Sequence, residues 1–266
     1  MHESQKIIEA AKRAERGFVA TIVRTEGSTY RRAGARCVIS DKGEVTGTIS
    51  GGCLERDLAA RSNEWMTDMQ SRVVTYDSTR DDDIVFGLGL GCRGVIEVLI
   101  EPFDAGHPPH IDLAPQRSIA IYGGGPDVEP LAQLADILGM NVRVVRPRDV
   151  HPEQVAAPDA DAVVIMTHNY LYDLALLKTM LASNIDYIGL LGPKTRGKEL
   201  LAECGGDRAR VHNPAGLNIG GETPEEIALS ILAEIQAVLN QRDAQPLREL
   251  EGPLHADDHP SRCRLL

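Results

Sequence analysis

Between Glu3 and Arg16 the apolar residues Ile7, Ala10, Ala11 and Ala14 recur at helical spacing and predict a short amphipathic helix. The pattern then switches to β-rich runs, FVATIVRT (18–25), RCVIS (36–40) and EVTGTI (44–49), separated by turn residues. A helix is expected from about Leu54 to Met69, then the strands RVVTYD (72–77) and VIEVLIE (95–101). Strands joined mostly by short turns, with helices interspersed irregularly, define an α+β domain over residues 1–103. The stretch PFDAGHPPHIDLAPQR (102–117) holds four prolines and no periodicity. Proline stiffens the chain and withholds backbone donors, so residues 104–116 read as a linker.

From Arg117 strands and helices alternate. SIAIY (118–122), NVRVV (141–145), AVVIM (162–166) and YIGLLG (187–192) are separated by helices expected near 127–139, 170–182 and 195–204. Such alternation predicts a parallel sheet covered by helices over residues 117–247, and an α/β class for the chain as a whole. A last helix has its own start signal, with Thr223 as cap, Pro224 in the first turn and Glu226 completing a capping box. Residues 248–266 form a polar tail, whose His255, Asp257, Asp258 and His259 read as a frayed terminus before they read as a metal site.

Composition narrows the function classes. A net charge of −11 over 266 residues lacks the basic footprint of a nucleic-acid binder. No apolar run is long enough to span a membrane, and MHESQKIIEAAKRAERG lacks the apolar core of a signal peptide. Five cysteines (Cys37, Cys53, Cys92, Cys204, Cys263) are scattered without a CxxC pair, which fits free thiols in a reducing cytoplasm.

Several loops are candidates for chemistry. In IYGGGPDV the glycines Gly123 and Gly125 follow the first strand of the parallel sheet and suit close approach of a phosphate. Val128 replaces the third glycine of the dinucleotide fingerprint, and Arg146 stands where a ribose-binding acid is expected. NAD is thereby disfavoured; Arg146 and Arg148 either take the 2′-phosphate of NADP or face solvent. His168 and Lys194, Arg196 and Lys198 should open at the same carboxyl edge, as a polar turn and a solvated helix face or as ligand groups. In RTEGSTYRR, Ser28 and Thr29 with Arg31 or Arg32 either cradle an oxyanion or form a solvated turn. Gly51 and Gly52 let the chain bend into a helix, leaving Cys53 in its first turn, where unpaired N–H groups stabilise negative charge. The loop FGLGLGCRG puts Cys92 among Gly87, Gly89, Gly91 and Gly94, more glycine than a plain connection needs. Two such thiols suit molybdenum, copper(I) or sulfur transfer rather than magnesium or calcium.

Together GSTYRRAGARCVI, GTISGGCLE, GLGLGCRG, GGGPD, MTHNYLYDLALL, YIGLLGPKTR and GLNIGGETPEEIALSILAEI resemble the XdhC/CoxI family, accessory factors of xanthine dehydrogenase and related molybdenum hydroxylases. The resemblance covers nearly the whole chain. It implies an N-terminal XdhC domain followed by a Rossmann-like C-terminal domain, and a chaperone rather than an enzyme. Such a chaperone would bind the molybdenum cofactor, protect it while a cysteine desulfurase supplies the sulfido ligand, and hand it to the apo-enzyme. The family's loop cysteine falls on Cys92 and that of its GGCLE motif on Cys53, making these the expected metal-side ligands. Arg93 stands where glycine is common, Tyr30 where proline is, and GGGPD where GAGHVG is.

The expected cofactor site therefore comprises Cys92, Cys53, Gly91 and Gly52 with Ser28 and Arg31, and in the second domain Gly123, Gly125, His168, Lys194 and Arg196. Two other readings stay open: an NADP-linked oxidoreductase with His168 as its acid–base group, and an interaction protein that docks desulfurase and hydroxylase without cofactor. A homodimer also remains open.

Overall fold

The computed structural model describes residues 3–78, 94–109, 111, 116–147, 151, 154–205 and 208–251. Cys92, Gly91, Arg148, Cys263 and the tail histidines and aspartates named above lie outside the described residues. The described residues divide into two compact units, one of 3–111 with 246–251, the other of 116–245.

In the first unit, α1 (Glu3–Arg13) precedes β1 (Arg16–Gly27), β2 (Arg36–Ser40) and β3 (Val45–Gly47). Then come α2 (Cys53–Trp65), β4 (Arg72–Asp77) and β5 (Gly94–Asp104). The five strands form an antiparallel sheet in the order β3-β2-β1-β5-β4. β1 is central and carries six consecutive buried residues because both its faces are covered. Phe18, Ala20 and Ile22 pack with Leu54, Leu58 and Trp65 of α2, while Val19 packs with Ile7 and Ala11 of α1. The β1–β5 register slips between Ile22 and Arg24, and Val23 at the slip is exposed.

The second unit contains β6 (Ser118–Gly123), α3 (Val128–Ile137), β7 (Asn141–Val145), β8 (Ala162–Met166) and α4 (Tyr170–Leu181). β9 (Tyr187–Leu190), α5 (Lys194–Ala202), β10 (Val211–His212) and α6 (Pro224–Leu239) complete it. All pairings are parallel, in the order β10-β9-β8-β6-β7. β8, AVVIM, is buried at every position because α4 and α5 cover one face of the sheet and α3 and α6 the other. The strand order reverses direction between β6 and β8, so the crevice at their carboxyl ends is the topological switch point.

Four details differ from the expectation. β3 stops at Gly47, whose φ of +98° turns the chain, and a side chain there would stand 2.6 Å from the Arg36 carbonyl. α2 stops at Trp65, and Met69 adopts a left-handed φ of 48° in the turn that follows. β5 continues through Pro102, opposite Phe18, to Asp104, one residue into the expected linker. β10 is only two residues long and carries no alternation from which to predict it.

Gly197 in α5 lies against Asn213, whose Nδ2 donates to the carbonyls of Leu190 and Gly192. A Cβ at 197 would stand 1.8 Å from Asn213 Oδ1, whereas one at exposed Gly205 meets nothing within 4 Å. Gly197→Ala is expected to cost about 1–3 kcal/mol in urea denaturation, and Gly205→Ala to leave the midpoint nearly unchanged.

Candidate functional site

Strand pairing in the first unit gathers three sequence motifs at one edge of the sheet. β1 and β5 run antiparallel so that Gly27 faces Gly94, and β5 pairs β4 so that Val95 faces Asp77. Ser78 N donates to the Gly94 carbonyl (3.0 Å), Ser78 Oγ donates to the same carbonyl (2.8 Å), and Gly94 N donates back to Ser78 Oγ (3.1 Å). The segment bearing Cys92 thus leaves and rejoins the fold at one point. Gly94 must be glycine there: a Cβ would stand 2.6 Å from the Glu26 carbonyl and 2.7 Å from that of Ser28. Ser28 is therefore beside Gly94, where the chain resumes after residues 79–93. The second turn of α2 meets the same end of the sheet, where Asp57 accepts a hydrogen bond from Tyr76 Oη (2.6 Å), one residue before the end of β4.

The SGGC turn at this edge is built on a buried carboxylate that the sequence motifs did not single out. Glu55, 8% exposed, accepts from the backbone N–H groups of Ile49 (2.7 Å), Ser50 (2.7 Å) and Gly52 (3.1 Å), and from Ser50 Oγ. Ser50 Oγ in turn accepts from Gly52 N (3.0 Å) and Leu54 N (3.1 Å), and the Cys53 thiol lies 3.6 Å from it. Burial pushes the Glu55 carboxyl upward, but the hydrogen bonds from Ser50 and its neighbours outweigh burial and hold it below its usual 4.5. Glu55 falls three residues after Gly52, the spacing of a capping box, which was the signal available in the sequence. Gly52 has φ +107°, a conformation that favours glycine. Gly51 does not: its φ is ordinary, it is exposed, and an added Cβ meets nothing within 4 Å among the described residues. Among those residues nothing covers the chain at Gly51, close to Cys53, which is half-buried.

The other described cysteines are of a different kind. Burial pushes the Cys37 thiol up to about 12, with the charges of Glu55 and Glu3 adding to it, and burial also raises Cys204. Arg31 pairs with Glu3 of α1, its Nη2 2.9 Å from the carboxylate, so its charge is already matched. Among the described residues no three His, Cys, Asp or Glu side chains are grouped as metal donors.

In the second unit the loops after β6, β8 and β9 open at the same carboxyl edge, as expected of an open α/β sheet. His168, with a left-handed φ of 59°, lies in the switch-point crevice with its Nε2 3.0 Å from Asp127 Oδ2. Gly123 is held by packing, since a Cβ would stand 2.8 Å from both Met166 and Val128. Gly125 makes room for Asp127, whose Oδ1 lies 2.5 Å from where its Cβ would be. Arg196 is not a free cation: its guanidinium donates to Asp173, which is fully buried, and to the Leu191 carbonyl (3.4 Å). Thr167 Oγ1 donates to the other Asp173 oxygen, tying the loops after β8 and β9 to α4. Lys194 is exposed at the start of α5.

The chain combines an antiparallel N-terminal sheet with a Rossmann-like second unit, and the comparisons with known proteins match both. Residues 10–77 match the model of the XdhC and CoxI family, and residues 119–235 that of the XdhC Rossmann domain. The chain belongs to the XdhC and CoxI family. It is 30% identical to a probable xanthine dehydrogenase subunit from Bacillus subtilis, over 83% of this chain and 92% of that protein. It is 23% identical to the molybdenum cofactor insertion chaperone PaoD of Escherichia coli, over 87% of this chain and 86% of that one. A solved structure described as a xanthine dehydrogenase from Bacillus halodurans superposes with a TM-score of 0.76 at 26% identity, over 92% of this chain and 98% of that one.

Glu55→Gln exchanges one acceptor of a buried, fully satisfied carboxylate for a donor and is expected to cost about 1–3 kcal/mol. The Glu55 carboxyl is held below 4.5, so its contribution is complete above pH 4.5 and is lost as pH falls through the lower folded-state value. Thermal melts should accordingly show a smaller loss between pH 6 and pH 3 for Glu55→Gln than for the wild-type chain. Arg196→Met strands a buried charge and should cost about 3–5 kcal/mol in denaturant titration; Lys194→Ala, at an exposed position, should cost little.

Proposed function

We propose that this chain is a cytoplasmic carrier of the molybdenum cofactor, receiving it at the cysteine edge of the first unit and passing it to a molybdenum hydroxylase apo-enzyme. The observation that carries this reading is the convergence of the Ser28 turn, the Cys53 turn and both ends of the Cys92 segment at one edge of one sheet. Among the described residues nothing covers the chain at Gly51, which leaves room for a bulky cargo close to a soft sulfur donor. Cys92 is the principal sulfur on this reading and Cys53 the second. Both would supply soft sulfur donors to the metal side of the cofactor, and backbone donors at the Ser28 turn would hold its phosphate. Sulfuration of the held cofactor by a cysteine desulfurase is part of the proposal, and its support is the accessory role that the family resemblance implies. The activity is capture and release, so no catalytic residue is assigned. A relative named as a molybdenum cofactor insertion chaperone supports the same class of function.

The experiment is loading of the purified chain with molybdenum cofactor under anaerobic conditions, followed by gel filtration and molybdenum analysis. Wild-type chain should carry near-stoichiometric molybdenum, and Cys53→Ala with Cys92→Ala should retain it roughly tenfold more weakly, a change of ~1.4 kcal/mol. Absence of co-eluting metal from the wild type, or full retention by a folded double variant, overturns the reading.

A further inference from the structure

The switch-point crevice of the second unit contains a side-chain pair that the cysteine edge does not use. His168 Nε2 lies 3.0 Å from Asp127 Oδ2, and an ionised carboxylate only accepts, so Nε2 carries the hydrogen. The other carboxylate oxygen, Oδ1, is shielded from solvent and has no hydrogen-bond partner among the described residues. A buried oxygen left without a donor costs free energy and marks a place where a donor belongs. Glycine at 125 is what admits it, because a Cβ there would stand 2.5 Å from Oδ1 and 3.6 Å from His168 Nε2.

The charges around this crevice are interchanged relative to a dinucleotide site. There the glycine turn receives the pyrophosphate, and a carboxylate at the end of the second strand receives the ribose. Here the carboxylate of Asp127 stands over the glycine turn, and the exposed Arg146 follows β7. A phosphate oxygen brought to Gly125 would meet a carboxylate oxygen at contact distance. A hydroxyl or amino group brought to the same place would satisfy one.

We propose that the Asp127–His168 pair forms a binding site for the uncharged donor groups of a nucleoside-like ligand, either ribose hydroxyls or the amino edge of a purine or pterin, and that it rejects a pyrophosphate. Asp127 accepts from the ligand. His168, whose ring is 58% exposed, covers the carboxylate from the solvent side and moves to admit the ligand. This site is built from residues of the second unit alone, and its argument does not rest on the cysteine edge.

Calorimetric titration of the full chain tests it with four probes. Guanosine carries both kinds of donor, pterin only the amino edge, ribose only the hydroxyls, and NADPH a pyrophosphate. Saturable binding of guanosine is expected below about 1 mM, with whichever of pterin or ribose also binds identifying the donor. Asp127→Asn, which puts an NH2 where one acceptor was, should weaken binding at least tenfold while leaving the melting temperature unchanged. His168→Gln serves as the second variant should Asp127→Asn fail to fold, and should weaken binding through loss of the ordered carboxylate. Three outcomes overturn the proposal: no binding of guanosine, pterin or ribose at that concentration; NADPH binding tighter than guanosine; or full-strength guanosine binding by either folded variant. Molybdenum retention is read separately in the same variants, so that failure of this proposal and failure of the carrier reading are told apart.

Discussion

A carboxylate removed from water must find donors, and the loops of this chain are shaped by that requirement more than by regular secondary structure. Glu55 draws the backbone amides of Ile49, Ser50 and Gly52 around itself and so fixes the turn that carries Cys53. Asp173 is satisfied by Thr167 and Arg196, which locks the loops after β8 and β9 onto α4. Glu234 accepts from Tyr187 Oη (2.6 Å) and Gly216 N (2.7 Å), with His212 Nδ1 3.3 Å away, and so secures the loop that follows β10. Burial, and then the Glu234 hydrogen bond, also push the Tyr187 hydroxyl well above its ordinary range, so it remains a donor at any physiological pH. In each case a helix supplies the acid, and at least one donor comes from a loop at a strand end: Ser50, Thr167 and Gly216. Both loop edges are thus positioned by local electrostatic satisfaction laid on top of a core that hydrophobic burial has already arranged.

That division explains what could be read from the amino-acid order. Burial on one face or two leaves a period in the sequence, so the helices, the long strands and the change from an α+β to a parallel-sheet architecture were visible. The AVVIM run of β8 is the clearest case, since only a strand covered on both faces stays apolar at every position. The stapling acids leave no such trace, because an acidic residue in a helix ordinarily reads as a solvated face. Arg31 and Arg196 read as ligand cations for a related reason. Their partners, Glu3 and Asp173, lie 28 and 23 residues away, and a charge in sequence does not announce a distant counter-charge. What brought the site motifs to notice was their glycine content, and what that glycine meant could be settled only in three dimensions.

The glycines divide by cause. Gly94 is required by the Glu26 and Ser28 carbonyls against it, Gly52 by its positive φ, and Gly125 by the Asp127 carboxylate. Gly51 has none of these constraints among the described residues, yet it lies beside Cys53 and would accept a side chain without conflict. Glycine there costs conformational entropy on folding that no internal contact repays.

The same carboxylate that shapes this turn also separates the two thiols near it. Cys37 sits in the core between β1 and β3, where burial and then the charge of Glu55 disfavour its thiolate. That leaves it a small apolar filler. Cys53 is placed by the Ser50–Glu55 cluster at the margin of the core, half-buried, close to Gly51, where nothing among the described residues covers the chain. Both cysteines are free and both lie in the first unit, so neither residue type nor oxidation state distinguishes them. Their difference comes from where Glu55 finds its donors: the amides it gathers belong to the turn preceding Cys53, and its charge falls on the core thiol behind.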